Sequence, residues 1–178
     1  MQSPSQDYLV GEGAANIPDA IAVGAYNNRM NFKSLSGASY QVGYGSKGIL
    51  ASFSSPGPSV NPDLVKPAVT APGAGIYSAF NRYDTNVKAT AADVVARVKN
   101  TGDQKDDFYG MMSGTSQASP VVTGIVALWL QANPKLTPAQ VLQIIKETAE
   151  RDSNTGTADE SGWNAKSGYG KIDAYAGL

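Results

Sequence analysis

The chain has 178 residues, 42% of them hydrophobic, which is enough for one domain with a buried core and argues against disorder. Its net charge of -1, with 16% charged residues, gives no basic face for nucleic acid and no acidic tail, so neither a nucleic-acid nor a membrane-surface partner is expected. The absence of cysteine excludes disulfide bonds and thiolate metal sites, and it fits either a reducing compartment or a secreted bacterial enzyme without bridges.

The first predicted strand follows a turn-rich start. Met1 is followed by neither the charged start nor the apolar run of a signal peptide, so we interpret it as the start of a fragment. Residues 20–26 are continuously apolar, which is typical of a strand covered on both faces in a parallel sheet, and a buried helical turn is the alternative for so short a run. Residues 27–50 are rich in Gly, Ser, Asn and Tyr and predict a hairpin or surface loop. The alternation in residues 50–54 predicts a further strand, which ends at a Pro-Gly turn.

The middle of the chain predicts a short strand over residues 75–80 and then a less regular segment. Thr90 is a helix N-cap residue with acidic Asp93 three positions later, so we favour a helix over residues 90–99, although residues 93–98 fit a β-ribbon equally well. The charged run of residues 103–107 lacks the ligand spacing of an EF-hand calcium loop and is interpreted as a solvated turn.

Two helices are predicted after a strand or loop over residues 108–112. The first runs from Thr115 to about Ala132 and is apolar on nearly every face, which predicts a helix buried between layers; it is too short to span a bilayer. The second opens on a capping box over residues 137–140 and runs to about Glu150. Its predicted inner face consists of Val141, Leu142, Ile145 and Ala149.

Ser116 is the candidate nucleophile, because it lies where the first of these helices begins. Gly114 permits a tight bend, and a hydroxyl at Thr115 or Ser116 can satisfy free backbone N–H groups. An exposed hydroxyl beside unpaired N–H donors, at the positive end of a helix dipole, is what acyl transfer requires. An ordinary N-cap has the same geometry, so the helix start alone leaves both interpretations open.

The amino-acid sequence of this segment is more specific than its position at a helix start. Residues 113–120, Ser-Gly-Thr-Ser-Gln-Ala-Ser-Pro, resemble the G-T-S-x-A-x-P signature around the catalytic serine of subtilisin-like serine proteases. This resemblance implies that Ser116 is the nucleophile and that its own backbone N–H is one donor of the oxyanion hole. Other segments resemble the same family: I-A-V-G-A at 21–25, F-S-S-x-G-P at 53–58, K-P-D-V-x-A-P-G at 66–73 with Ala68 in place of the aspartate, and G-x-G-x-I-D-A at 168–174.

The resemblance implies an α/β fold, namely the C-terminal part of a three-layer α/β/α subtilisin-like domain with a mostly parallel sheet. Residues 1–178 would form a single partial domain, and residues 81–107, where the family has a brief loop, an insertion. The chain contains no histidine, whereas a Ser-His-Asp triad needs an imidazole. Because the family's triad runs Asp, His, Ser, we expect the N-terminal half with Asp and His to be absent and the isolated chain to be inactive. The family's oxyanion asparagine also lacks a counterpart, because Asn16 lies too close to the first strand.

The function that the resemblance implies is a serine endopeptidase that cleaves polypeptides through an acyl-enzyme. The alternative is a non-catalytic binding module on the same scaffold, and upstream D-[ST]-G and H-G-T-x-V-A segments would distinguish the two. A Ser-Lys hydrolase is disfavoured, because no lysine lies near Ser116 in sequence.

Further expectations concern ligands and surroundings. No cofactor is expected; calcium is suggested by family analogy only, without an identifiable site. Residues 11–13 are candidates for the border of the specificity pocket. An uncovered helix face predicts self-association or a bound partner. The family also implies a secreted or cell-envelope location.

Overall fold

The computed structural model describes residues 15, 17–61, 63–99, 102 and 105–178, so residues 11–13 and Asn16 lie outside the described part. Within these ranges the elements follow in the order β1 (Val23–Asn27), β2 (Asn31–Lys33), β3 (Ser39–Gln41), β4 (Val69–Ala74), β5 (Ile76–Ala79), β6 (Val94–Lys99), β7 (Asp106–Met112), α1 (Thr115–Ala132) and α2 (Pro138–Thr148).

A parallel pair of strands, β1 and β4, forms the centre of the fold, with Val23 opposite Val69. Most of their side chains are buried, as the continuous apolar run predicts. The segment after Tyr169 lies along the other side of β4: Thr70 donates its backbone N–H to the Gly170 carbonyl at 2.8 Å and accepts from the Ile172 N–H at 2.9 Å. The predicted strand over residues 20–26 and the α/β class are therefore confirmed.

The predicted strand over residues 50–54 is wrong, although this segment does lie beside β1. Ala51 donates to the Ala25 carbonyl at 2.9 Å, as in a ladder, but Ser54 then folds back and donates its own N–H to the Ala51 carbonyl. The Ser54 hydroxyl accepts the Ala25 N–H at 3.0 Å in place of a backbone carbonyl. The Ser54 side chain thus supplies the hydrogen-bond acceptor for β1 that a neighbouring strand was expected to supply.

The predicted hairpin in residues 27–50 is confirmed by β2 and β3, which pair antiparallel with Phe32 opposite Tyr40. The two rings stack with centroids 5.4 Å apart.

The predicted helix over residues 90–99 is wrong and the alternative β-ribbon over residues 93–98 is confirmed, because Val94–Lys99 forms β6. It pairs antiparallel with β7, which also pairs with β5, so the three strands form a sheet in the order β5-β7-β6. The β-branched residues of this stretch favour a pleated surface, and pairing with β7 supplies the hydrogen bonds that the local N-cap signal could not foresee. Asp106 and Asp107 lie in β7 rather than in a solvated turn, and they form ion pairs with Arg97 and Arg82.

Both predicted helices are confirmed, but their burial differs from expectation. Helix α1 packs against β4 and β1 through Ala118 and Val122, and Trp129 is 1% exposed. The expectation that α1 is buried on nearly every face is wrong, since Leu128 is 51% exposed. In α2 the predicted capping box is present at Thr137. Val141 and Ile145 are buried and Ala149 packs partly against the core, whereas Leu142, 38% exposed, does not belong to the inner face. In the described ranges no helix combines the length and apolarity that a bilayer crossing requires.

Candidate active site

Ser116 is the second residue of α1, and its side chain is exposed. Strand β7 ends at Met112 and α1 begins at Thr115, so a two-residue connection presents the serine. This connection meets the carboxyl end of β4, since the Gly114 N–H donates to the Gly73 carbonyl at 2.8 Å. The carboxyl ends of parallel strands are where α/β folds commonly place their ligand sites.

The hydroxyl of Ser116 does not act as a helix cap. The N-cap residue is Gly114, and no side chain closes the helix start by a hydrogen bond, so the N-cap interpretation of Thr115 and Ser116 is wrong. Among the described residues none forms a hydrogen bond with Ser116 Oγ. By contrast, the nearby Ser119 hydroxyl is occupied, because it donates to the Thr115 carbonyl at 3.1 Å. Of these two α1 hydroxyls, only that of Ser116 is unengaged.

The helix start is electrostatically suited to a negative oxygen. The first backbone N–H groups of a helix have no intrahelical acceptor and carry the positive end of its dipole. The first turn of α1, which the structure describes completely, contains no acidic residue that would offset this charge. Ser116 therefore lies where an oxyanion formed beside its hydroxyl would be stabilised.

The placement of Ser116 depends on the close approach of three backbone segments at Gly73. A Cβ at this position would lie 2.5 Å from Ala25 Cβ, 2.9 Å from the Gly114 carbonyl oxygen and 3.1 Å from Ala118 Cβ. Strand β1, the connection before α1 and the first turn of α1 therefore meet at a residue without a side chain. The Ala-Pro-Gly wording in the sequence is the signal for this contact.

A second contact, which sequence analysis did not single out, lies beside it. The Gly75 N–H donates to Ser113 Oγ at 3.0 Å, so the Ser113 side chain holds the corner between β4 and β5. Gly75 has a φ of 73°, a left-handed conformation that favours glycine. The serine that opens the Ser-Gly-Thr-Ser wording is the only sequence signal for it.

The site presents a serine hydroxyl, but no base lies beside it among the residues that the structure describes. A serine hydroxyl needs a neighbouring group to remove its proton, and neither a lysine nor a carboxylate in the described ranges hydrogen-bonds Ser116. The full sequence contains no histidine. Across the described ranges no group of three or more His, Cys, Asp or Glu is placed to hold a metal ion, and no step is assigned to calcium.

The perturbed ionisable groups belong to other parts of the molecule. Lys171 donates to Asp152 at 2.6 Å, and this bond lowers the pKa of the Asp152 carboxyl. Burial, followed by the charges of Glu150 and Asp152, raises the pKa of the Tyr26 hydroxyl. Burial lowers the pKa of Lys66, whose ammonium donates to backbone carbonyls of the turn before β1. None of these groups lies in β7 or α1.

Comparison with known proteins identifies relatives of this arrangement. The model of the subtilase family matches residues 4–170. Serine protease AprX of Bacillus subtilis (strain 168) is 39% identical over 104 residues, which cover 57% of this chain and 21% of AprX. Subtilisin-like protease SBT3.2 of Arabidopsis thaliana is 36% identical over 108 residues, which cover 60% of this chain and 12% of the plant protein.

A solved structure shows the same fold. The crystal structure of fervidolysin from Fervidobacterium pennivorans, a keratinolytic enzyme related to subtilisin, superimposes with a TM-score of 0.55 at 25% identity. The match covers 96% of this chain and 22% of fervidolysin, so the chain spans about a fifth of that enzyme, as it does of AprX. Relatives from a plant and from bacteria match, so the similarity does not single out a bacterial source. The predicted subtilisin-like α/β fold is confirmed, and the chain belongs to the subtilase family.

Proposed function

We propose that this chain supplies the nucleophile of a serine endopeptidase. The observation that carries the proposal is the exposed, unengaged hydroxyl of Ser116 at the second position of α1, within the G-T-S-x-A-x-P segment. In the proposed reaction Ser116 Oγ attacks a peptide carbonyl carbon while a histidine takes its proton. The same proton passes to the departing amine, and water then hydrolyses the acyl-serine ester. The Ser116 backbone N–H is proposed as one donor to the oxyanion.

The base for this reaction must come from polypeptide outside this sequence. No residue of the chain is a histidine, so the proton acceptor is proposed to lie outside this sequence, together with the aspartate that orients it. The isolated chain is therefore expected to be inactive or nearly so. Both missing groups are proposed to lie on a segment with D-[ST]-G and H-G-T-x-V-A motifs, which completes the domain.

The exposed side of α1 is the surface that this segment is proposed to cover. No residue of the helix is charged, yet its exposed positions include Leu128 and Leu130, which water solvates poorly. The surface begins at Ser116, so a segment packed on it lies beside the nucleophile. Without it, a second copy of the chain is the expected occupant. By analogy with the family, a secreted or cell-envelope location and calcium binding are also proposed.

Complementation tests this function. The chain is joined to a related subtilase segment that carries the two motifs, and cleavage of a fluorogenic peptide is measured beside that of the unjoined chain. We expect cleavage by the joined protein only, its loss in Ser116→Ala, and its retention in Ser119→Ala, which removes another exposed hydroxyl near the start of α1. Cleavage that survives Ser116→Ala would contradict the proposal.

A folded joined protein that binds peptides without cleaving them would instead favour a binding module. Circular dichroism and thermal unfolding of the joined protein establish that it is folded, so that inactivity is not caused by misfolding.

A further inference from the structure

We propose that Ser113 is a positioning residue for the nucleophile, an inference that rests on the proposed function of Ser116. Its hydroxyl fastens the connection before α1 to the β4–β5 corner and thereby fixes where the Ser116 hydroxyl points.

Two hydrogen bonds of opposite direction join the connection to the corner. The Gly114 N–H donates to the Gly73 carbonyl at 2.8 Å, and the Gly75 N–H donates to Ser113 Oγ at 3.0 Å. Strand pairing holds the start of the connection, because Met112 at the end of β7 lies opposite Ile76 of β5, and the backbone bond to Gly73 holds Gly114. The bond to Ser113 Oγ lies between these two contacts and depends on a side chain rather than on the backbone.

The corner is a rigid support. Ala74 at its centre is completely buried, and its carbonyl accepts the Asn28 N–H at 3.0 Å. Gly73 lies in contact with Ala25 of β1, and Gly75 holds a left-handed φ of 73°. The corner is thus fixed to the parallel sheet, so a group bonded to it takes its position from the sheet.

The Ser113 hydroxyl is itself oriented. Ser113 Oγ donates a long hydrogen bond of 3.8 Å to Met111 Sδ, and an oxygen lone pair accepts the Gly75 N–H. Met111 packs against the core, so both partners of the hydroxyl are held in place. Only Gly114 and Thr115 lie between Ser113 and Ser116, so a shift of Ser113 is passed on to Ser116.

Acyl transfer is sensitive to such a change. Misplacing a reacting group by about 1 Å can lower the reaction rate about 100-fold. Loss of the second bond removes the only side-chain bond between the connection and the corner, so we expect the reaction of Ser116 to slow by roughly 10- to 100-fold while substrate binding changes little. A purely structural role would lower the stability and leave the rate of the folded protein unchanged.

The first measurement needs no activity. Backbone amide exchange is compared in the chain itself and in Ser113→Val and Ser113→Thr, two variants of nearly equal shape that differ in the hydroxyl. We expect faster exchange at Gly75 in Ser113→Val and wild-type exchange in Ser113→Thr. Equal exchange at Gly75 in the two variants would overturn the proposal.

The second measurement uses the joined protein described above. We expect Ser113→Val to lower kcat by roughly 10- to 100-fold with little change in KM, and Ser113→Thr to restore it. Ser119→Ala is the matched control, because it removes another hydroxyl hydrogen bond at the helix start and should leave kcat within about twofold of wild type.

The outcomes separate the two proposals. If wild type cleaves peptides and Ser113→Val cleaves them equally fast while folded, the positioning role is wrong and the proposed function stands. If the folded wild-type joined protein does not cleave, the proposed function is wrong, and the role of Ser113 falls with it.

Discussion

Replacing Gly73 by alanine should destabilise the fold. The added methyl group would lie 2.5 Å from Ala25 Cβ, 2.9 Å from the Gly114 carbonyl oxygen and 3.1 Å from Ala118 Cβ. Two of these neighbours are Cβ atoms fixed to β1 and α1, and the third is backbone, so none can rotate away. Strand β1 and the helix start must therefore separate.

The expected cost follows from overpacking in a close-packed core, about 1–3 kcal/mol. If the free energy of unfolding falls by about 2 kcal/mol per molar urea, a loss of about 2 kcal/mol in that free energy lowers the urea midpoint of unfolding by about 1 M. Urea unfolding followed by tryptophan fluorescence and by far-UV circular dichroism measures this midpoint and tests whether the two probes coincide.

Gly124→Ala is the matched control, because it makes the same chemical change in α1 where a Cβ would meet nothing within 4 Å. Alanine is favoured over glycine inside a helix by about 0.5–1 kcal/mol, so this variant should be slightly more stable than wild type. The two alanine substitutions should thus shift the midpoint in opposite directions. A Gly73→Ala midpoint equal to or above that of wild type would refute the close packing described between β1, β4 and the connection before α1.

Three further predictions concern other parts of the molecule. Lys171 holds the pKa of the Asp152 carboxyl below its ordinary 3.8, so the ion pair stabilises the fold above that pH and loses this effect as the pH falls through the native pKa. Asp152→Asn should therefore have a lower melting temperature than wild type at pH 7, and this difference should close well below pH 4. Trp129→Phe removes the 2.9 Å bond from the indole N–H to the Ala174 carbonyl and should cost about 1–3 kcal/mol in urea; an unchanged midpoint would contradict this. The isolated chain should elute in size-exclusion chromatography above its 18.5 kDa, and Leu128→Glu should shift it toward monomer; a wild-type monomer that binds no apolar dye would refute the exposed interface.

The sequence predicted those elements whose signals are local. The continuous apolar run before Tyr26 predicted β1, and the Thr137 capping box predicted the start of α2, because each signal reports a property of its own segment. The serine signature likewise placed Ser116 at a helix start, since a small-residue turn followed by an apolar helix is readable without its neighbours.

The remaining features depend on partners distant in sequence. Val94–Lys99 forms a strand because β7 pairs with it, and this pairing outweighs the helical signal at Thr90. The Ser54 hydroxyl accepts the Ala25 N–H of β1 in place of a backbone carbonyl, so residues 50–54 need not form a strand. The bond from Gly75 to Ser113 spans 38 positions and involves a common residue type, so the serine before Gly-Thr-Ser does not by itself identify Gly75 as its partner.

The burial of α1 was overestimated for a different reason. An uncharged, apolar helix predicts a surface that is covered, but composition does not say by which polypeptide. In the structure only part of this surface meets β1 and β4, and Leu128 remains exposed. The sequence thus predicts that another polypeptide packs against α1, whereas the structure shows which residues of the helix are exposed to it.

Site mapping with a fluorophosphonate probe tests the central claim most directly. The joined protein and the isolated chain are incubated with the probe, digested, and analysed by mass spectrometry for the labelled serine. The account predicts a single label on Ser116 in the joined protein and negligible label on the isolated chain, which has no histidine. Rapid stoichiometric labelling of the isolated chain, or labelling of the joined protein at another serine, would contradict it.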